Sequence, residues 1–205
     1  MDPGYFLRGL IIGFSIAAPV GPIGVLCIRR TLAAGRLCGF VSGMGAASAD
    51  AVYGCIAGFG LTAVSGLLVS QQTGLRLVGG LFLCYLGVRT FLSRPVQEAA
   101  DSSGGALVGA YASTFLLTLT NPMTILSFAA VFAGLGLGAR AANYTAAAFL
   151  VLGVFLGSAA WWLLLSGGIG LFRGKLNPDH LRWVNRISGI VIAGFGLACL
   201  AGLRR

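Results

Sequence analysis

The chain has 205 residues, of which 57% are hydrophobic and only 9% charged, and its formal net charge is +9. A soluble domain carries about 25% charged residues, so this composition excludes a soluble enzyme and indicates an integral membrane protein. The apolar runs are continuous rather than alternating, which favours transmembrane helices over an outer-membrane barrel. The basic residues lie at the ends of these runs, where they set topology, so no nucleic-acid partner is expected.

The first predicted span covers residues 5–28 and contains a break. The residues of this break are Pro19, Gly21, Pro22, Ile23 and Gly24. Because proline lacks an N–H group and clashes with the preceding turn, a helix ends before it, and a new helix accepts it at the first position. We therefore expect Pro22 to begin a half-helix whose N–H groups at residues 23–25 point into the membrane and suit a carboxylate. The alternative is a simple proline kink.

The second predicted span covers residues 37–61, or extends to residue 68, and Asp50 lies roughly 20 Å inside it at 1.5 Å per residue. Small residues share its helical face; they are Gly39, Gly43, Ala46, Ala47, Gly54 and Gly58. Such a face allows close helix contact, so we expect Asp50 to point into the bundle. Because no basic residue lies at comparable depth, its expected partner is a substrate ammonium, a proton or a water-filled cavity, with Tyr53 and Ser48 near enough to take part. The structural alternative is a protonated carboxyl bonded to a neighbouring backbone.

The third predicted span covers residues 74–92, and the polar stretch 93–105 that follows it is interpreted as a solvated loop. The fourth span, residues 106–137, is broken at Asn121 and Pro122, so we expect a second half-helix with N–H groups at residues 123–125. Asn121 is expected to cap this half-helix or to contact a ligand. Two matched breaks favour a binding site over two independent kinks.

The fifth predicted span covers residues 143–169, and a basic connection at 172–182 precedes the sixth, residues 183–203. Trp161 and Trp162 correspond to the Asp50 region in the second half of the chain, where they either line the site or pack in the core. His180 is expected to be solvated and the cysteines to be packing residues, so no metal site, cofactor or disulfide framework is predicted. The cysteines are Cys27, Cys38, Cys55, Cys84 and Cys199.

The distribution of lysine and arginine predicts the topology. Of the 14 basic residues, nine lie on one predicted side of the membrane and five on the other. The nine are Arg29, Arg30, Arg36, Arg89, Arg94, Arg173, Lys175, Arg182 and Arg186. The positive-inside rule assigns this side to the cytoplasm, so both termini are predicted to lie outside.

An internal repeat relates the two halves of the chain. The motif at residues 21–24 resembles that at 121–124, and Gly43 precedes Ser48 as Gly153 precedes Ser158. Three spans in each half would give the halves opposite orientations, as in many transporters with inverted repeats. We therefore predict an all-α integral membrane protein with six transmembrane helices and a single transporter domain. Its parts are repeat 1 at about 1–92, a cytoplasmic loop at 93–105 and repeat 2 at about 106–205.

Several motifs resemble the LysE-type lysine/homoserine exporter family over about residues 7–202. They are Gly-Pro-Ile-Gly at 21–24, the stretch 43–50, Leu-Cys-Tyr-Leu-Gly at 83–87, Thr-Asn-Pro at 120–122 and the stretch 153–158. The resemblance implies that the protein exports amino acids from the bacterial cytoplasm across the inner membrane and that the proton gradient drives this export. Members of the family are often homodimers. It assigns the family's site motifs to Pro19, Gly21, Pro22, Asp50, Asn121 and Pro122. Many members have lysine after the Asn-Pro pair, where this chain has Met123.

We predict a secondary exporter and not an enzyme, in which half-helix ends hold the carboxylate of an amino acid and Asp50 holds its ammonium group or the coupling proton. The alternative is a cation or metal exporter of the wider superfamily. Metals would need several carboxylate or histidine ligands within the spans, and Asp50 is the only acid there. A membrane redox protein would need a CxxC motif, and a structural or assembly protein would have no use for the deep aspartate.

Overall fold

The computed structural model describes residues 3–19, 21–58, 72–92, 104–121, 124–125, 127–128, 144–172 and 178–201. Every regular element in these ranges is helical, as the composition predicts. The seven helices with defined bounds are α1 (Pro3–Ala17), α2 (Pro22–Ala34), α3 (Arg36–Gly58), α4 (Gln72–Leu92), α5 (Gly104–Thr120), α6 (Tyr144–Gly170) and α7 (Pro178–Ala201). The described residues 124, 125, 127 and 128 are also helical.

Two helices are long and apolar enough to cross a membrane, namely α6 and the Arg182–Ala201 part of α7. Helices α1 and α2 give a third span if they are counted together across a bend of 80°, and α4 and α5 contain shorter apolar helices. Large apolar side chains such as Leu81, Leu164 and Ile190 point outward on α4, α6 and α7. A water-soluble protein would not expose so much apolar surface, and these helices fit a multi-pass membrane protein.

The break predicted in the first span is confirmed, because α1 ends at Ala17 and α2 begins at Pro22. The helix cannot continue through Pro19, which also disfavours helical geometry at the residue before it. The apolar spans Tyr144–Gly170 and Arg182–Ala201 agree with the predicted fifth and sixth spans and with the connection between them, although helix α7 already begins at Pro178, inside this connection. Proline at the first position and Asp179 in the first turn favour a helix start at this point. Pro122, Met123 and most of the predicted loop 93–105 lie outside the described residues.

Helix α3 lies between α5 and α6, while α1 packs against α6 and α4 packs against α7. Helix α2 contacts α3, α6 and α7. Glycines bring several of these backbones together: a Cβ at Gly13 would overlap the backbone of Val154, and one at Gly87 would overlap Ala193. Small residues of this kind allow helices to associate closely where lipid provides no hydrophobic driving force.

Two clusters of buried side chains form the core around α3. The first cluster contains residues from all seven helices. The second cluster contains Tyr53 and the residues that pack around it. Ala46 and Ala47 belong to the first cluster, one turn before Asp50, and Tyr53 belongs to the second, about one turn after it. The centre of α3 is therefore where the two parts of the core meet.

Candidate functional site

Asp50 lies in the protein interior, on the face of α3 that is lined by small residues. Its side chain is only 3% exposed, and Ala46 and Ala47 on the same face are 1% and 0% exposed. A Cβ at Gly43 would overlap the side chain of Trp162, so α3 and α6 approach closely here. The prediction that Asp50 points into the bundle is confirmed, and the helix it faces is α6.

A short chain of hydrogen bonds joins α6 to the carboxylate. The Ser158 hydroxyl donates to Asp50 Oδ2 at 2.7 Å, and the indole Nε1 of Trp162 donates to Ser158 Oγ at 3.2 Å. Since a serine hydroxyl has one hydrogen and two lone pairs, the Trp162 bond occupies a lone pair and directs the hydrogen at Asp50. Trp162 therefore orients Ser158, and Ser158 contacts Asp50.

The hydrogen bond from Ser158 does not fill the hydrogen-bonding capacity of Asp50. An ionised carboxylate can accept about four hydrogen bonds, and within the described residues Ser158 supplies the only one. No basic side chain pairs with Asp50 in this part of the protein. Because a buried unpaired charge is costly, the carboxylate needs either a cationic ligand or a proton. That is the chemistry of a binding or proton-carrying site.

Tyr53 does not bond to Asp50, although it lies on the same helix. Its hydroxyl donates to the backbone carbonyl of Leu119 at 2.6 Å, and its ring stacks on Phe128 with centroids 5.4 Å apart. Leu119 lies in the last turn of α5, where carbonyls lose their helical donors. Tyr53 thus caps the helix end at the second break and connects this break to α3.

The residues that flank the first break pack in the buried cluster that contains the turn of α3 before Asp50. Ala17 and Ile23, which flank this break, share a buried cluster with Ala46, Ala47 and Trp162. Ile125 and Phe128, which follow the second break, pack with Tyr53. The residues that flank each break therefore share a buried cluster with the central part of α3, one cluster before Asp50 and the other after it along the helix.

Two of the backbone groups predicted to be free at the breaks are already used. The Val25 N–H donates to the Gly21 carbonyl at 3.0 Å, and the Ile125 N–H donates to the Asn121 carbonyl at 3.2 Å. The prediction was wrong for these two groups because the residue before a helix already accepts the first helical hydrogen bond. At the first break, helix geometry leaves the N–H groups of Ile23 and Gly24 without a helical acceptor.

The remaining predicted site residues differ in their surroundings. Pro22, Ile23 and Gly24 are buried, whereas Pro19 is exposed. Gly21, Ser48, Asn121 and Trp161 are partly buried. Trp161 packs edge-on against Phe14 of α1, with ring centroids 5.4 Å apart, so Trp162 and not Trp161 reaches the hydrogen-bond chain of Asp50.

Sequence reasoning missed Ser158 as a partner of Asp50. The internal repeat contained a signal, because Ser158 follows Gly153 at the same spacing as Ser48 follows Gly43. A lone serine in an apolar span is usually a packing residue, so only the contact between α3 and α6 identifies its role. The sequence analysis likewise treated Arg29 and Arg30 as topology signals only, although both make hydrogen bonds inside the protein.

Comparison with known proteins agrees with a transport role. The family model described as LysE type translocator matches residues 14–202. The chain is 29% identical over 196 residues to a Bacillus subtilis (strain 168) protein named "Putative amino acid efflux protein YcgF", covering 93% of this chain and 92% of that protein. It is 27% identical over 174 residues to "Uncharacterized membrane protein YahN" of Escherichia coli (strain K12), covering 83% and 77%. No solved structure matches the chain.

Proposed function

Since the chain belongs to the family of LysE type translocators, we propose that it is a secondary active transporter that exports an amino acid from the cytoplasm in exchange for protons. The observation that carries the proposal is the buried Asp50, which accepts one hydrogen bond within the described residues and lies on α3 between two buried clusters, each of which contains residues that flank one helix break. The relative named as an amino acid efflux protein supports the substrate class.

The amino acid would be held at both of its charged ends. Asp50 would bind the ammonium group, with Ser158 fixing the orientation of the carboxylate. The N–H groups of Ile23 and Gly24, at the start of α2, would bind the substrate carboxylate, because a helix N-terminus carries partial positive charge. When no substrate is bound, a proton on Asp50 would offset the cost of its burial. Exchange of the two cations at one carboxylate couples export to proton uptake.

The helix contacts support the proposed six-span inverted repeat. Helix α1 precedes the first break and packs against α6, while α5 precedes the second break and packs against α3. A two-fold axis that exchanges the halves would convert the first of these contacts into the second. The same axis would convert the α3–α6 and α4–α7 contacts into themselves. This is the contact pattern that two inverted three-helix repeats would produce.

We propose further that the protein lies in the bacterial inner membrane with both termini outside, as the charge distribution predicts. In this orientation the C-terminal end of α2 faces the cytoplasm. A homodimer remains an expectation from the family resemblance. The alternative of cation or metal export has less support, because no group of three or more potential metal ligands occurs within the described residues.

Transport by the purified protein in proteoliposomes tests the proposal. A panel of labelled amino acids would be assayed with and without an imposed pH gradient, and protein-free liposomes would be the control. We expect at least one amino acid to move against its gradient only when the pH gradient is present. Amino acid transport that does not respond to the gradient would contradict proton antiport. Transport of divalent cations without transport of any amino acid would favour the alternative.

A further inference from the structure

Arg30 of α2 is a partly buried charge that the proposed mechanism does not use. Its Nη1 atom donates to Ser42 Oγ at 3.0 Å, to the Ala110 carbonyl at 2.9 Å and to Thr114 Oγ1 at 2.8 Å. Its Nη2 atom donates to Ser113 Oγ at 2.7 Å. The guanidinium therefore joins α2 to both α3 and α5.

The three hydroxyl groups around Arg30 act as acceptors. Each uses its own hydrogen for a backbone carbonyl on its own helix: Ser42 donates to Cys38, Ser113 to Gly109 and Thr114 to Ala110. Their lone pairs are left for Arg30. The surroundings are thus arranged to hold a guanidinium in one orientation, with neutral groups that leave its positive charge uncompensated.

One edge of the guanidinium lacks acceptors within the described residues. A guanidinium has five N–H donors, and the bonds of Arg30 use Nη1 and one hydrogen of Nη2. The Nε–H and the second Nη2 hydrogen remain. Nε and Nη2 form an edge that binds a carboxylate through two parallel hydrogen bonds.

Neither carboxylate of the described residues forms a hydrogen bond or an ion pair with Arg30. Asp50 bonds to Ser158, and Asp179 forms an exposed ion pair with Arg182 at 3.5 Å. The neighbouring arginine provides a contrast, because Arg29 uses its Nε to donate to the buried Asn185 side chain at 2.9 Å. The Nε donor is therefore used in Arg29, whereas Arg30 forms its hydrogen bonds through Nη1 and Nη2.

We propose that Arg30 is a second carboxylate-binding site, which receives the carboxylate of the exported amino acid on the side where α2 ends. Arg30 lies eight residues after Pro22, or about 12 Å along α2 at 1.5 Å per residue. A substrate carboxylate would bind first to Arg30 and then move along α2 to the N–H groups at its start. The identity of the ligand as an amino acid rests on the proposed function, whereas the carboxylate site rests on the geometry of Arg30.

Protection of the wild-type protein from phenylglyoxal, which modifies guanidinium groups, tests the site without any substitution. Modification of Arg30 would be followed by tandem mass spectrometry, with Arg29 as the internal reference. The probes would be amino acids, their carboxamides and acetate, so that carboxylate and ammonium groups are tested separately. We expect amino acids and acetate to slow modification of Arg30 about tenfold at ten times their Kd, as simple occupancy requires, and the carboxamides to give no protection. Protection by carboxamides, or by no probe, would overturn the proposal.

The carboxylate that binds Arg30 could belong to a ligand or to an acidic side chain of the protein itself. Glu98→Gln and Asp101→Asn distinguish these two sources, since both acids lie in the predicted cytoplasmic loop. We expect both variants to leave the reactivity of Arg30 unchanged. Faster modification of Arg30 in either variant would mean that the chain supplies its own counter-ion, and the proposal would be wrong.

Transport measurements then separate this inference from the proposed function. Arg30→Lys keeps the charge but loses the two parallel hydrogen bonds to the substrate carboxylate. We therefore expect KM to rise roughly tenfold or more for substrate added on the side of the membrane that the C-terminal end of α2 faces. Arg29→Lys, the matched control, should leave this KM close to that of wild type, because Arg29 donates to Asn185 and takes no part in the proposed site. An unchanged KM in Arg30→Lys would overturn the site while export itself stands. Protection of Arg30 by carboxylates in a protein that moves no amino acid would refute the proposed function and leave the site intact.

Discussion

Arg30 and Asp50 both lie within the described helix bundle, and the protein satisfies the two charges to very different extents. Arg30 donates to three side-chain hydroxyls and one backbone carbonyl from two neighbouring helices. Asp50 is more deeply buried and accepts one hydrogen bond, from Ser158. The greater burial thus coincides with the smaller number of partners.

The contrast separates a permanent charge from one that changes during transport. Arginine is always protonated, so the acceptors around Arg30 can be fixed parts of the fold. A carboxylate can lose its charge by binding a proton or have it balanced by a bound cation. A fixed set of strong donors around Asp50 would stabilise one of these states and oppose the exchange. A single neutral donor is compatible with all of them.

The largest effect is expected from Asp50→Asn, which keeps the shape of the side chain and removes its charge and its titration. We expect the variant to insert and fold but to lose export against a gradient. The matched control is Asp179→Asn, because Asp179 lies in an exposed ion pair and surface pairs contribute at most about 1 kcal/mol. Transport into proteoliposomes with an imposed pH gradient measures both variants.

The same variant distinguishes the two roles of the carboxylate. If Asp50 carries only the proton, Asp50→Asn should still exchange substrate across the membrane without a pH gradient. If Asp50 also binds the ammonium group, exchange should be lost as well. Export and pH response equal to wild type would show that Asp50 is structural and would remove the contrast with Arg30.

A smaller effect is expected from Ser158→Ala, which removes the only donor to Asp50 among the residues that the structure describes. A hydrogen bond to a charged group contributes about 1.5–3 kcal/mol, so we expect kcat/KM for export to fall roughly tenfold to a hundredfold. Ser166→Ala is the matched control, because Ser166 is also buried on α6 but donates to the Trp162 carbonyl of its own helix. Equal losses in the two variants would assign the effect to α6 packing.

The features that could be predicted from the sequence are those that the bilayer makes costly. Asp50 is an acid within a long apolar run, and the first break contains prolines that a helix cannot accommodate in its interior. Such features depend on local sequence and on the surrounding lipid. They are therefore visible before the helices are packed together.

The partners of these features depend on tertiary packing. Ser158 lies 108 positions from Asp50, and Arg30 lies 84 positions from Thr114. Which face of α6 turns toward α3 is decided by close contacts such as that of Gly43 with Trp162. Serine and threonine in apolar helices usually bond to their own backbone, so the sequence alone gave no reason to assign these hydroxyls to a charged partner.

On the Arg30 side of the comparison, Thr114→Val tests whether the fixed acceptors stabilise the fold. The substitution keeps the shape but removes one of the three acceptors of Arg30 Nη1, and a hydrogen bond to a charged group contributes about 1.5–3 kcal/mol. Thr118→Val is the matched control, because Thr118 is also buried on α5 and donates to the Thr114 carbonyl. We expect Thr114→Val to lower the thermal unfolding temperature of the purified protein more than Thr118→Val does. The reverse order would show that the Arg30 contacts contribute little.

The smallest effect is expected from Trp162→Phe, which tests whether the bond to Ser158 orients the donor to Asp50. Phenylalanine retains an aromatic ring near Gly43 but loses the Nε1 donor, whose contact with Ser158 Oγ is 3.2 Å long. A neutral hydrogen bond contributes about 0.5–1.5 kcal/mol, so we expect kcat/KM to fall about two- to tenfold.

The matched control is Trp161→Phe, because Trp161 packs against Phe14 and takes no part in the hydrogen-bond chain. If Trp162 acts by orienting Ser158, Trp162→Phe should have no further effect in a Ser158→Ala background, since the hydroxyl it orients is gone. Independent, additive losses in that double variant would mean that Trp162 acts on transport through packing alone. Asp50 would then depend on Ser158 alone, and its contrast with the well-supported Arg30 would become sharper.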